Sequence, residues 1–195
     1  MARKKKLNKK VLMSIFIVAI MVLSAFGFMM SYRTKQKGAT EVYNGVELTQ
    51  TRQGLMMEVN ENAVYFNYHP KDLESINMTD NIQSILANTK ALIITYDPDS
   101  EFAPVMGEIQ FDMEQQLLDT EKVYLARGLT NATGYTVPEF TCSNATESMP
   151  AVYLKKGEKS ELMLDNNCII LTASTEPELQ MFYTRILYTI FGVMK

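Results

Sequence analysis

The hydrophobic pattern divides the chain into an apolar N-terminal run and a longer region in which apolar and polar residues alternate. Residues 11–30 carry no charged side chain, and a helix of that length spans roughly 30 Å, the hydrocarbon thickness of a bilayer. Basic side chains flank the run, six in residues 1–10 and three in residues 31–37. Because the larger basic cluster precedes the run, the pattern predicts a transmembrane helix at 11–30, a cytoplasmic segment at 1–10 and a C-terminal region outside the cell.

The N-terminal run has two alternative interpretations. A cleaved signal peptide also begins with basic residues, and Ala25-Phe26-Gly27 has the small-x-small form of a loose cleavage site. The apolar part of a signal peptide usually covers only about 7–15 residues, so the length favours an uncleaved anchor. A buried helix of a soluble domain would not explain the basic residues at both ends. We therefore predict a single-pass protein of the cell membrane.

A polar linker at 31–40 leads into a domain at 41–195 whose first part is typical of antiparallel hairpins. Asn44-Gly45 stands between apolar pairs and is a favoured two-residue turn. A second pair of strand-like runs surrounds residues 58–62. These patterns predict an antiparallel start to the domain.

The periodicity becomes helical at Pro70. Apolar residues recur at helical spacing on both sides of residues 77–80, which predicts two short helices. A continuous apolar strand at 90–96, a longer amphipathic helix and a short strand at 122–127 follow. The alternation of strand and helix implies right-handed crossovers and parallel strands.

The C-terminal third begins with a polar stretch, residues 128–150, that indicates a long loop. Three strand-like runs follow it, with turns predicted at 155–160 and 165–167. Residues 175–178 have the Thr-x-x-Glu form of a capping box before an apolar stripe. The stripe predicts a helix that packs on its own sheet, with a partner helix or the membrane surface as the alternative.

These elements together predict an α/β fold. We expect an N-terminal transmembrane helix followed by one extracytoplasmic mixed-sheet domain with antiparallel hairpins and about three amphipathic helices.

The charge of the domain argues against nucleic-acid binding. Residues 38–195 contain ten of the 19 basic and all 22 acidic side chains, a formal charge of −12. A domain of that sign repels a phosphate backbone. The basic residues at the N-terminus are explained more simply as a topology signal.

The sequence offers little support for catalysis. His69 is the only histidine, and its position before Pro70 favours a surface or capping role. The chain contains no His-Glu-x-x-His, Gly-x-Ser-x-Gly, Gly-x-x-x-x-Gly-Lys or Gly-x-Gly-x-x-Gly motif. We therefore predict no catalytic residue, no cofactor and no metal site.

Asp97, Asp99 and Glu101 alternate after a predicted strand, and their oxygens could bind calcium. A calcium loop also needs a glycine at its sixth position, where this chain has Phe102. In the alternative interpretation these residues form a turn, and their acidic side chains stabilise the N-terminus of the following helix. The turn is the favoured interpretation.

Cys142 and Cys168 are the only cysteines, and both belong to the predicted exterior. An even cysteine count outside the cytoplasm favours a disulfide, which over this separation is worth about 3.5 kcal/mol by chain entropy. The alternative is a reactive thiol, but a redox enzyme more typically presents Cys-x-x-Cys, which is missing. We predict a bond that ties the long loop to the sheet.

Three Asn-x-Thr sequons are possible glycosylation sites. Asn131 and Asn144 lie in the predicted loop, and Asn77 lies between the two short helices. The exposure expected of the loop makes the modification of Asn131 and Asn144 physically possible.

Several runs resemble uncharacterised single-pass, membrane-anchored envelope proteins of small-genome archaea. The basic-then-apolar N-terminus, YNGVEL and YFNYHPKDLESI carry the first part of the resemblance, and TCSNATESMPAVYL and NNCIIL carry the second. The resemblance covers most of the chain. It implies an envelope location and the same topology, and it implies no assigned activity.

Two classes of function fit these features. The favoured one is a membrane-anchored, extracytoplasmic binding or assembly module that acts through a protein partner in the envelope. The alternative is an extracytoplasmic enzyme, either a hydrolase with scattered carboxylates or a thiol oxidoreductase at Cys142. A pocket with convergent polar groups and perturbed pKa values would favour the enzyme.

Overall fold

The computed structural model describes residues 9–33, 38–120 and 122–195, and the chain divides into the units Met1–Gly38 and Ala39–Lys195. The described residues of the first unit form one helix, α1 (Lys9–Arg33), whose side chains from Met13 to Ser24 are exposed.

Within the described part of the chain, no helix combines the length and the apolar character needed to cross a bilayer. The transmembrane helix at 11–30 therefore has no support from the structure and stays a prediction from sequence. Helix α1 continues to Arg33, so it includes the first residues of the linker predicted at 31–40. Most of the basic segment predicted at 1–10 lies outside the described residues.

The second unit begins with an antiparallel four-stranded sheet in the order β1-β2-β3-β4. Its strands are β1 (Thr40–Tyr43), β2 (Val46–Thr51), β3 (Gly54–Val59) and β4 (Asn62–Phe66). The Asn44-Gly45 turn is confirmed, with φ of 49° and 84° at its two residues. The second predicted connection is shorter than expected, because only Asn60 and Glu61 turn the chain, both with positive φ.

A second, five-stranded sheet has the order β6-β5-β7-β9-β8, and only β8 is antiparallel to its neighbour. Its strands are β5 (Ala91–Tyr96), β6 (Tyr124–Arg127), β7 (Ala151–Lys156), β8 (Glu161–Asp165) and β9 (Cys168–Ala173). The helices of the second unit are α2 (Asp80–Asn88), α3 (Ala103–Asp119) and α4 (Glu176–Ile190). Single 3₁₀ turns lie at Pro70–Leu73 and Cys142–Asn144.

The α/β class is confirmed, and the second unit contains both an antiparallel and a mixed sheet. Strands β2 to β4 bury alternate residues, as expected of a sheet covered on one face, whereas β5 is buried along nearly its whole length. The two burial patterns belong to two separate sheets.

The last three strands do not lie in chain order within the sheet. Strand β9 lies between β7 and β8, so β7 and β8 are not neighbours. The burial explains this order, since β9 is mostly buried whereas β8 alternates between exposed and half-buried positions, which suits an edge strand.

Helix α4 packs within its own domain, as predicted. The ring of Tyr188 stacks on Phe66 of β4 with centroids 4.2 Å apart, and its hydroxyl donates to the Tyr68 carbonyl at 3.0 Å. Leu179 and Ile186 are buried in the same core, and α4 also packs against β9. These contacts hold α4 beside the end of β4.

Candidate binding site

The structure joins the two cysteines that were predicted to form a disulfide. The sulfur atoms of Cys142 and Cys168 are 2.01 Å apart, and the Cα atoms are 5.3 Å apart. Cys168 is buried at the start of β9, and Cys142 begins the 3₁₀ turn of the long loop. The prediction that the bond ties this loop to the sheet is therefore confirmed.

The same loop is fixed to β5 by a second contact. Thr95 Oγ1 donates to the Phe140 carbonyl at 2.7 Å. The Phe140 ring lies so close to Gly128 that a Cβ there would approach its Cδ2 atom to 2.5 Å. The loop is thus packed on the sheet as a structural element, and Cys142 is part of that packing.

The three acceptor asparagines are exposed, which is compatible with glycosylation. Asn131 accepts a hydrogen bond from the Thr133 amide at 3.1 Å, and Asn144 accepts one from the Thr141 amide at 2.8 Å. Their glycosylation stays a prediction.

His69 and the acidic residues after β5 have local structural roles. His69 Nδ1 accepts from the Lys71 amide at 3.2 Å, and its Nε2 lies 3.3 Å from the Glu41 carboxylate. Asp97 accepts from the amide of Asp99 at 3.0 Å. Glu101 pairs with Lys156. The described residues hold no cluster of three or more potential metal ligands, so Asp97, Asp99 and Glu101 do not form such a group.

A cavity of about 260 Å³ lies between β4, α3 and α4, and we call it the α3–α4 pocket. Its polar lining residues are Tyr65, Asn67, Glu108, Asp112, Gln116, Gln180, Tyr183 and Thr184, and its apolar ones are Phe66, Ile109 and Leu187.

Two sets of hydrogen bonds fix α3 at this pocket. The buried Gln110 side chain donates to the carbonyls of Ile94 and Gly128 at 3.0 and 2.9 Å, which holds the helix to β5 and to the end of β6. At the other end, Asn60 and Asn62 donate to the carbonyls of Thr120 and Asp119 at 2.8 and 2.7 Å. Those carbonyls accept no hydrogen bond within the helix, so the two asparagines of the β3–β4 hairpin supply the donors that are missing at the end of α3.

Glu108, Asp112 and Gln116 succeed one another by four residues on α3 and therefore lie on one face of the helix. Burial, together with the nearby charge of Glu108, raises the pKa of Asp112. Two carboxyl groups thus share this side of the pocket, and burial makes Asp112 harder to ionise than an ordinary aspartate.

Two residues that line the pocket carry buried polar atoms without partners. The Tyr183 hydroxyl oxygen and the Gln116 Oε1 atom are both buried and make no hydrogen bond with the described residues. Burial, with a smaller effect of the Asp112 charge, raises the pKa of Tyr183. A buried polar group without a partner destabilises a fold by about 1–3 kcal/mol, so these two atoms require another explanation.

A cavity near Lys195 is lined by one residue with such an atom, the buried Nε of Arg185, which makes no hydrogen bond with the described residues. Arg185, also on α4, is buried there, but its guanidinium donates to Thr189 Oγ1 at 2.9 Å and to the Lys195 carbonyl at 2.8 Å. Each terminal nitrogen of Arg185 therefore already donates to the protein itself. The α3–α4 pocket is the better candidate for a ligand.

The geometry of the α3–α4 pocket suits binding. Two of its lining residues carry buried oxygens without partners, and its two carboxyl groups give it negative character. Small-molecule sites typically combine apolar walls with a few convergent polar groups and perturbed pKa values, which is the arrangement here.

Sequence reasoning missed this pocket because its residues come from three distant segments. The available signal was the spacing of Glu108, Asp112 and Gln116 on α3 and of Gln180 and Thr184 on α4. Each set places polar side chains one turn apart beside an apolar stripe. Only the packing of α3 on α4 and β4 brings the sets together.

Comparisons with protein-family models, curated proteins and solved structures find no match to this chain. The resemblance to envelope proteins of small-genome archaea therefore stays a prediction.

Proposed function

We propose that this chain is a membrane-anchored, extracytoplasmic binding module of the cell envelope, and that the α3–α4 pocket holds a small polar ligand. The observation that supports binding most strongly is the pair of buried, unpartnered oxygens of Tyr183 and Gln116. A ligand that bonds to both would offset the cost of burying them.

The location rests on other features. A disulfide between Cys142 and Cys168 is typical of a compartment outside the reducing cytoplasm. The anchor at 11–30, with the N-terminus in the cytoplasm, rests on the charge-free apolar run and its basic flanks. A protein partner in the envelope also belongs to this proposal.

A screen by NMR tests the binding function. The full chain, labelled with ¹⁵N in detergent micelles, is exposed to a library of small neutral, anionic and cationic compounds. We expect at least one compound to shift the amide signals of pocket residues on α3 and α4 in a saturable way. A library with no saturable binder at these residues would contradict the proposal.

The location is tested separately by the intact mass of protein isolated from its native membrane, with and without reductant before alkylation. Retention of residues 1–30 and two thiols that react only after reduction are expected. Two free thiols without reductant, or loss of the N-terminal residues, would contradict this part of the proposal.

A hydrolase is the second candidate, because a carboxyl group with a raised pKa beside another carboxyl group is also an arrangement for acid–base chemistry. Asp112 would act as the acid and Glu108 as the base. Turnover of a glycoside or ester substrate that disappears in Asp112→Asn would favour it. A thiol oxidoreductase at Cys142 gains no support, because Cys142 is bonded to the buried Cys168.

A further inference from the structure

We infer that the α3–α4 pocket binds an organic ammonium group, with Asp112, Gln116 and Tyr183 accepting its N–H hydrogen bonds. The inference rests on the proposed function and names the chemical class of the ligand.

The buried oxygens match the donors of an alkylammonium ion. Gln116 Oε1 can only accept hydrogen bonds, the Asp112 carboxylate accepts when ionised, and the Tyr183 hydroxyl oxygen can accept as well. A primary ammonium group has three N–H donors and no acceptor. Three acceptors on two facing helices therefore correspond to three donors on one small group.

The charge of the lining also favours a cation. Glu108 and Asp112 are its ionisable acids, and none of the described lining residues is Lys, Arg or His. An anion would face two carboxyl groups without a compensating charge, whereas an ammonium ion would relieve their mutual repulsion.

The remaining walls suit the carbon chain of such a ligand. Ile109 and Leu187 supply apolar surface, and Tyr65 and Phe66 add aromatic rings, which attract cations through their faces. A volume of about 260 Å³ lies just below the usual range of drug-sized sites, roughly 300–1,000 Å³, and so suits a short alkylammonium.

A divalent metal ion fits less well. Calcium takes six to eight oxygen ligands and magnesium needs near-octahedral geometry, usually with carboxylates among the ligands. The described part of the chain holds no group of three or more His, Cys, Asp or Glu side chains that could bind a metal. The pocket offers only two carboxyl groups, which an ammonium ion can use through single hydrogen bonds.

The test is a titration of the ¹⁵N-labelled full chain in micelles with propylammonium at constant ionic strength. Four matched probes are titrated in parallel: butanol, which is neutral; butyrate, which is anionic; tetramethylammonium, which has no N–H donor; and magnesium or calcium chloride. We expect propylammonium alone to shift the amide signals of pocket residues saturably. Asp112→Asn should weaken this binding by roughly 10- to 100-fold, the effect of removing a charged hydrogen-bond partner.

Two further variants distinguish a loss of binding from a loss of folding. Tyr183→Phe retains the ring and removes one acceptor, and it should weaken propylammonium binding by roughly 3- to 10-fold. Glu147→Gln removes an exposed carboxylate in the long loop and should leave binding unchanged.

The other outcomes overturn the inference in distinguishable ways. Saturable binding of butanol or butyrate without propylammonium binding would leave a binding module but refute the ammonium class. Tighter binding of tetramethylammonium would leave cation–aromatic attraction and refute the hydrogen-bonding role of the three oxygens. Binding of magnesium or calcium alone would identify a metal site, and an absence of propylammonium binding would refute the inference outright.

Discussion

Asn60 Nδ2 donates a hydrogen bond of 2.8 Å to the carbonyl of Thr120, which joins the turn of the β3–β4 hairpin to the C-terminal end of α3. Because β4 follows this turn and α3 lines the pocket, the contact joins two of the three walls.

Removing this contact should destabilise the domain. Asn60 has φ of 49°, a conformation that glycine adopts without strain, so Asn60→Gly removes the side chain while the turn remains favourable. We expect a loss of about 1 kcal/mol in the free energy of unfolding, measured by urea denaturation followed by circular dichroism. Asn166→Gly is the matched control, since Asn166 has φ of 54° and bonds only to the adjacent Asp165 side chain. Equal losses in the two variants would contradict a special role for the Asn60 contact.

Reduction of the disulfide should also destabilise the domain. The Cys142–Cys168 bond closes a loop over a sequence separation of 26, and such bonds typically contribute about 2–4 kcal/mol. Urea denaturation with and without dithiothreitol should reveal this difference. Cys142→Ala is the control, because the reductant should not change its stability. If the reductant also left the stability of the unmodified protein unchanged, the bond would contribute nothing to it.

Asp112 should make the domain less stable as the pH rises. Its pKa is raised in the folded protein by burial and by Glu108, so the folded state binds more protons than the unfolded state between the ordinary pKa and the raised one. The free energy of unfolding should fall as the pH rises through that window. Asp112→Asn should remove this fall, and Glu147→Gln should retain it. A profile that is unchanged by Asp112→Asn would contradict the assignment.

Glu178 should have the opposite effect. It accepts hydrogen bonds from Ser174, Ser160 and Thr175 at 2.6, 2.7 and 3.1 Å, and these lower its pKa. The stability they provide is present above the ordinary pKa of a glutamate and is lost as the pH falls through the lowered value. Glu178→Gln should flatten the acid side of the stability profile. If the free energy of unfolding of Glu178→Gln fell as steeply at acid pH as that of the unmodified protein, other carboxylates would cause the loss.

Local signals predicted the parts of the fold that depend on neighbouring residues. Asn44-Gly45 turns the first hairpin because both residues accept positive φ. Thr175 caps α4 by accepting a hydrogen bond from the Glu178 amide at 3.4 Å. The disulfide was predictable because the chain offers only one cysteine pair.

Features that depend on long-range packing could not be predicted in the same way. The position of β9 between β7 and β8 follows from how deeply each strand is buried. A run of apolar residues in the sequence indicates the depth of burial only in part. The pocket depends on residues as distant in sequence as Tyr65 and Tyr183 lining the same cavity with α3. No spacing within one segment encodes that meeting.

Two conservative variants on α4 test whether the Tyr183 hydroxyl is kept without a protein partner for a ligand. The measurement is the free energy of unfolding of Tyr183→Phe and Tyr188→Phe without added ligand. Tyr188 donates to the Tyr68 carbonyl at 3.0 Å, so Tyr188→Phe should lose about 1 kcal/mol, whereas Tyr183→Phe should gain about 1 kcal/mol because it removes an unsatisfied group. A loss in Tyr183→Phe equal to that in Tyr188→Phe would contradict the claim, because it would show that the hydroxyl stabilises the fold.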